Sequence, residues 1–179
     1  MAQAEQLVTV FGLPAHPLLV HAVVVLLPLA SVCAIGLAVR ATWRRKYGWP
    51  ALILTALAVG AVPLAQQAGE QLRDRLASVP NPLIKQHADI GTELLPYAIG
   101  FLVAVVVLLV AGRLADRERA ADAEPAGDGG QTTTTIPRTW RRIALLVSVL
   151  VVAAAVATTV QVVRIGDSGS RAVWTGVGG

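Results

Sequence analysis

The sequence predicts an all-α integral membrane protein, a four-helix bundle with both termini on the non-cytoplasmic side. Three observations lead to this fold class: the composition, four apolar runs of spanning length, and the placement of the basic residues. The 179 residues are 55% hydrophobic and only 15% charged, and their mean hydropathy is +0.63. Soluble domains are about 45–50% apolar and about 25% charged, so we expect the excess apolar surface to face a bilayer.

Four apolar runs each hold roughly the 20 residues that a helix needs to cross the hydrocarbon core. Their spans are about 17–39, 49–68, 92–111 and 143–163. The polar segment at 113–142 is rich in Pro, Gly, Ala and Asp, which predicts a disordered cytoplasmic linker. The expected order is an outer N-terminal segment (1–16), spans one to three (17–112, with an outer loop at 69–92), the linker, span four and an outer tail (164–179).

The Lys and Arg residues orient the bundle, because cytoplasmic loops carry an excess of them. Ten of the fifteen follow spans one and three, namely Arg40, Arg44, Arg45, Lys46, Arg113, Arg117, Arg119, Arg138, Arg141 and Arg142. The other five are Arg73, Arg75, Lys85, Arg164 and Arg171. We therefore expect both termini outside the cytoplasm of a bacterial plasma membrane. Basic residues that cluster beside apolar runs also argue against a nucleic-acid partner.

All three histidines then fall on the outer side, at the entrances of two spans. His16 precedes Pro17 at the start of span one, His21 lies about one turn inside, and His87 precedes span three. An imidazole near the membrane interior is costly, so its position suggests a function. Five residues at 100° place His16 and His21 about 140° apart on a helix. This separation favours a pair formed by His21 and His87 and leaves His16 at the rim.

A pair of facing imidazoles predicts a cofactor site between spans one and three. The first hypothesis is b-type haem with His21 and His87 as ligands, in respiratory or quinone-linked electron transfer. A zinc or copper site made by three imidazoles with Asp89 or Glu93 is the other option of this kind. Glu70, Asp89, Glu93 and Arg164 would give polar support. We expect no independent enzymatic activity, since the chain shows no nucleophile–base constellation and no phosphate-binding loop.

The alternative hypothesis is a non-catalytic structural or accessory membrane subunit that binds no cofactor. Histidines at helix ends can simply bond to backbone groups or water. The small residues Ala56 and Gly60, four positions apart, favour close packing with another helix. The partners would then be the lipid bilayer and other membrane proteins, and a homo-oligomer would also agree with this hypothesis.

Several motifs resemble a bacterial membrane family, domain of unknown function 2231. They are His16-Pro17-x-x-Val20-His21, Gly69-Glu70, His87-x-x-x-Gly91, and Gly166-Asp167-Ser168-Gly169 followed by Ala172-Val173-Trp174. The resemblance extends from about Gly12 to the end of the chain, and it implies a four-helix membrane domain. Some relatives are joined to Rieske-type iron–sulfur domains, which implies proximity to electron transfer.

Overall fold

The computed structural model describes residues 9–10, 13–76, 81–123 and 139–175, and these fold almost entirely into helices. A short antiparallel pairing joins β1 (Thr9–Val10) to β2 (Leu13–Pro14) just before the first helix. The helices are α1 (Ala15–Val39), α2 (Ala41–Arg75), α3 (Pro82–Thr92), α4 (Leu94–Ala123) and α5 (Thr139–Trp174).

Four helical segments of the described chain are long and apolar enough to cross a membrane: α1, α2, α3 with α4, and α5. The predicted all-α fold class with four spans is therefore confirmed. The most extensive contacts join α1 to α2, α2 to α4, α4 to α5, and α5 back to α1. Each helix thus packs on its two neighbours in a closed ring, with α1 diagonal to α4. Which end of this bundle faces the cytoplasm stays a prediction.

The core and the outer surface of the bundle are both apolar. Large side chains fill the centre, among them Leu27, Phe101, Leu108 and Val151, all fully buried. The outward faces carry further large apolar side chains: Val25, Val32, Ile53, Leu57, Val103 and Leu146. A helix that is hydrophobic all round needs an apolar environment on its outer side as well. The exposed aliphatic surface therefore fits a lipid bilayer.

Helices extend beyond the predicted boundaries at three places. Only Arg40 separates α1 from α2, so the basic segment 41–48 is helical and not a loop. α4 continues to Ala123, into the predicted linker, and α5 continues to Trp174, through most of the predicted tail. Ion pairs at helical spacing stabilise both extensions, Asp116 with Arg119 at 2.8 Å and Asp167 with Arg171 at 3.0 Å. Residues 124–138, the rest of the predicted linker, lie outside the described residues.

Polar contacts hold together the end of the bundle where α1 meets α2, which we call the arginine end. Arg45 of α2 donates two hydrogen bonds of 2.8 Å to the carboxylate of Asp116 on α4. The carboxylate of Glu118 accepts the backbone N–H groups of Trp140 (2.8 Å) and Arg141 (3.1 Å). These two donors belong to the first turn of α5 and have no partner within that helix. Glu118 thus fixes the start of α5 against α4.

Candidate functional site

The opposite end of the bundle, which we call the histidine end, contains the start of α1, the end of α2, all of α3 and the end of α5. His16 is the second residue of α1, and its ring points toward α2, where Nδ1 lies 3.0 Å from the carbonyl oxygen of Ala65. A carbonyl oxygen can only accept, so Nδ1 carries the proton. His16 is therefore a helical residue whose ring faces α2, and its place at the rim of a cofactor site stays a prediction.

Gly69 gives the His16 ring its space on α2. A Cβ at this position would lie 2.9 Å from Cε1 and 3.1 Å from Nδ1 of the His16 imidazole. A real Cβ essentially never shows a contact as short as 2.9 Å, so the ring rests directly on the backbone of α2. Gly69 lies one helical turn after Ala65, so the sequence places both small residues on one face of α2. The motif Gly69-Glu70 alone does not show that this face contacts His16.

His87 makes the corresponding contact between α3 and α5. Its Nδ1 lies 2.9 Å from Oγ of Ser168, and a Cβ on Gly169 would lie 3.0 Å from its Cε1. Ser168 donates its own hydroxyl proton to the carbonyl oxygen of Ile165 at 2.8 Å. The hydroxyl must therefore accept from His87, so Nδ1 of His87 also carries the proton. Both imidazoles share one arrangement: Nδ1–H donates to a neighbouring helix, and the ring packs on a glycine.

His21 is exposed, and its Nδ1 lies 2.6 Å from the carbonyl oxygen of Pro17 in its own helix. The described contacts of His87 thus reach Ser168 and Gly169 of α5, and its expected pairing with His21 stays a prediction. His16 faces the bundle because it lies on the same helical stripe as the buried residues Val23, Leu27 and Ala34. His21 lies off this stripe and is therefore exposed.

Hydrogen bonds from buried and half-buried amides fasten α3 and the start of α4 to the bundle. Gln161 of α5 is only 2% exposed, and its Nε2 donates to a carboxylate oxygen of Glu93 at 3.1 Å. Arg164 donates to Oε1 of Gln161 at 3.0 Å. On the other side of α3, Gln66 donates to the carbonyl oxygen of Gly91 at 2.9 Å. Sequence reasoning missed both glutamines, because it considered mainly charged groups and histidines.

The four residues predicted to give polar support divide into two groups. Glu93 and Arg164 both form hydrogen bonds with Gln161. Glu70 and Asp89 have exposed side chains. The backbone carbonyl of Asp89 accepts a 2.7 Å hydrogen bond from Thr92. The carboxylate of Asp89 therefore lies on the exposed surface of α3, and that of Glu70 lies on the exposed surface of α2.

The donor set does not fit a metal ion or a haem group. In the part of the chain that the structure describes, no three His, Cys, Asp or Glu side chains converge as metal ligands would. Both inward imidazoles rest on glycine backbone, which leaves no gap for a macrocycle between ring and helix. A cavity of about 160 Å³ beside Ser168 is smaller than typical small-molecule sites, and a larger one of about 340 Å³ contains no histidine.

Comparison with known proteins gives one match. A family model described as a predicted membrane protein, DUF2231, matches residues 12–179. The match includes all three histidines and both glycines that contact them. No curated protein and no solved structure matches the chain.

Proposed function

The chain belongs to the DUF2231 family of predicted membrane proteins, and on that premise we propose that it is a non-catalytic structural or accessory module of the bacterial plasma membrane. In this proposal His16 and His87 are clamps that join helices at the histidine end. Its partners are other membrane proteins, and the resemblance to relatives joined to Rieske-type domains favours partners in electron transfer.

The observation that carries the proposal is the way each imidazole is held. His16 joins α1 to α2 through Ala65, and His87 joins α3 to α5 through Ser168. Each ring packs on a glycine that no larger residue could replace without displacing it. A histidine that uses one nitrogen for a helix–helix hydrogen bond and one face for packing acts as a structural element. The site fits this role better than it fits a haem.

An exposed small-residue face supports the accessory role. Ala56 and Gly60 lie on the outer face of α2, and a Cβ built on Gly60 meets nothing within 4 Å. The expected close packing at this pair is therefore not used by the described part of this chain. A helix of another membrane protein, or of a second copy, could approach closely at that face.

Paired substitutions with a matched control test the clamp role. We expect His16→Leu and His87→Leu each to lower the free energy of unfolding by about 1–3 kcal/mol, because a buried carbonyl or hydroxyl oxygen loses its donor. His21→Leu is the control, since His21 is exposed and, among the described residues, its ring bonds to Pro17 of its own helix. Melting temperatures of the detergent-purified proteins, followed by circular dichroism, measure the difference.

The same purified protein tests the haem and redox-metal hypothesis. The clamp proposal expects an absorption spectrum without a Soret band and no stoichiometric transition metal. A Soret band that is lost in His16→Leu or His87→Leu would contradict the proposal and restore electron transfer as the function. Equal melting temperatures for the His87 and His21 variants would also contradict it.

A further inference from the structure

A small basic cavity lies between α3 and α5 at the histidine end. Its volume is about 160 Å³, and it is lined by Gln86, Ile90, Arg164, Asp167, Ser168 and Arg171. Two guanidinium groups and one carboxylate give this lining a formal charge of +1. The hydroxyl of Ser168 and the amide of Gln86 add neutral polar groups. This chemistry suits a single monoanionic group with several acceptor oxygens, such as a phosphodiester.

The bundle holds Arg164 in place at this cavity. Its Nη1 donates to Oε1 of Gln161, which is itself bonded to Glu93. One of the five guanidinium N–H donors is used by this bond, and the group is otherwise exposed. Arg171 pairs with Asp167 at 3.0 Å, although both side chains are more than half exposed. An incoming phosphate would therefore find one oriented arginine and a second whose present partner is weakly held.

An apolar groove runs along the neighbouring part of the same helix, between α4 and α5. Its volume is about 340 Å³, and its walls are almost wholly apolar, including Tyr97, Gly100, Phe101, Leu150, Ala154 and Ala157. A Cβ built on Gly100 meets nothing within 4 Å, so the groove is open at that point. In a membrane-spanning bundle such a groove faces the acyl chains of the lipid.

Groove and cavity lie on one face of α5. The lining residues 150, 154, 157, 164, 168 and 171 follow a spacing of three and four, with the buried Gln161 between them. Residues at this spacing form a continuous stripe on a helix. Ala157 and Arg164 are about 10 Å apart along the axis, at 1.5 Å per residue. The basic cavity thus lies just beyond the membrane end of the apolar groove, as a headgroup lies beyond its chain.

We propose that this face of α5 is a binding site for a phospholipid with a net negative headgroup. The phosphodiester binds between Arg164 and Arg171, and one acyl chain lies in the groove beside Gly100. The cavity shares Ser168 with the His87 clamp, but neither Arg164 nor Arg171 bonds to a histidine in the described contacts, so the arginine variants test this proposal separately from the function proposed above.

Native mass spectrometry of the full chain, released from a mixture of phosphatidylglycerol and phosphatidylcholine, tests the proposal. We expect about a tenfold preference for phosphatidylglycerol, and its loss in the double variant Arg164→Gln/Arg171→Gln, because both lipids offer a phosphodiester but only phosphatidylcholine brings a cation close to the two guanidinium groups. Gly100→Leu fills the groove and should reduce retention of both lipids. Arg75→Gln, an exposed arginine at the same end outside the cavity, is the control.

Two further measurements distinguish a lipid from free phosphate and protect the test against misfolding. Asp167→Asn removes the competing carboxylate and should increase the preference for phosphatidylglycerol. Inorganic phosphate at about 10 mM, in excess over the protein, should leave the lipid bound. Free phosphate has no acyl chain and therefore gains no binding energy from the groove. Displacement of the lipid by inorganic phosphate, an unchanged preference in the double arginine variant, or a lower preference in Asp167→Asn would overturn the proposal.

Discussion

The imidazole of His87 rests on the backbone of Gly169, so closely that a Cβ there would lie 3.0 Å from the ring Cε1. The ring cannot move away without losing its 2.9 Å hydrogen bond to Ser168. Packing and hydrogen bonding therefore fix the same side chain from two directions. This relationship makes the contact between α3 and α5 sensitive to a single methyl group.

Gly169→Ala should destabilise the protein relative to Gly166→Ala. A Cβ on Gly166 meets nothing within 4 Å, so there alanine should add about 1 kcal/mol through its higher helix propensity. At Gly169 the same gain is opposed by overpacking of about 1–3 kcal/mol. Melting temperatures in detergent compare the two variants, which lie in one helix. Equal stabilisation by both would show that His87 does not pack on Gly169.

Glu118→Ala should loosen the start of α5. Its carboxylate accepts the N–H groups of Trp140 and Arg141, so the loss should cost about 1–2 kcal/mol, as removal of a helix cap does. Hydrogen exchange at these two amides should accelerate in Glu118→Ala, and less in Glu118→Gln, which retains one acceptor oxygen. Glu70→Ala is the control, because the side chain of Glu70 is exposed on α2. Unchanged exchange at Trp140 would exclude the capping role.

Gln161→Leu should destabilise the histidine end by about 1–2 kcal/mol. The buried amide donates to Glu93 and accepts from Arg164, and leucine provides neither bond. Gln67→Leu is the matched control, since Gln67 is exposed on α2. Chemical unfolding in a mild detergent, followed by circular dichroism, gives the comparison. If both variants unfold alike, the Glu93–Gln161–Arg164 contacts do not stabilise the bundle.

Single cysteines at the two ends test the orientation. In a Cys33→Ala background we expect Thr175→Cys, at the histidine end, to react with a membrane-impermeant maleimide on intact cells. Thr42→Cys, at the arginine end, should react only after permeabilisation, because the Lys and Arg excess predicts that this end faces the cytoplasm. Both positions are exposed in the structure. The reverse labelling pattern would invert the bundle and place the histidines in the cytoplasm.

The number of spans could be predicted from the sequence because each apolar run is long, close to the bilayer thickness and free of charge, apart from Glu93 at the entrance of span three. The helix ends could not. Ser168 and Gly169 lie in a polar, glycine-containing segment that suggests a tail, yet α5 continues through them. Contacts with α3, including the His87–Ser168 bond, stabilise that segment, and such contacts do not appear in local composition.

For the histidines too, part of the arrangement could be predicted from the sequence and part could not. Their position at one end of the bundle and the wide angle between His16 and His21 followed from the sequence. Which of the two faces inward depended on the phase of α1, and therefore on comparing His16 with Val23, Leu27 and Ala34 as one stripe. The partners Ala65 and Ser168 lie 49 and 81 residues away along the chain, and only the packing of the bundle reveals them.

The junction at Arg40 has a consequence for how the chain enters the membrane. Its N–H donates back to Gly36 of α1 at 3.0 Å, and its carbonyl accepts from Trp43 of α2 at 3.1 Å, so one residue makes the whole turn. A turn this short gives the two helices no freedom to separate. We expect α1 and α2 to insert as a single hairpin during biogenesis, with four positive charges at its tip retained on the side of synthesis.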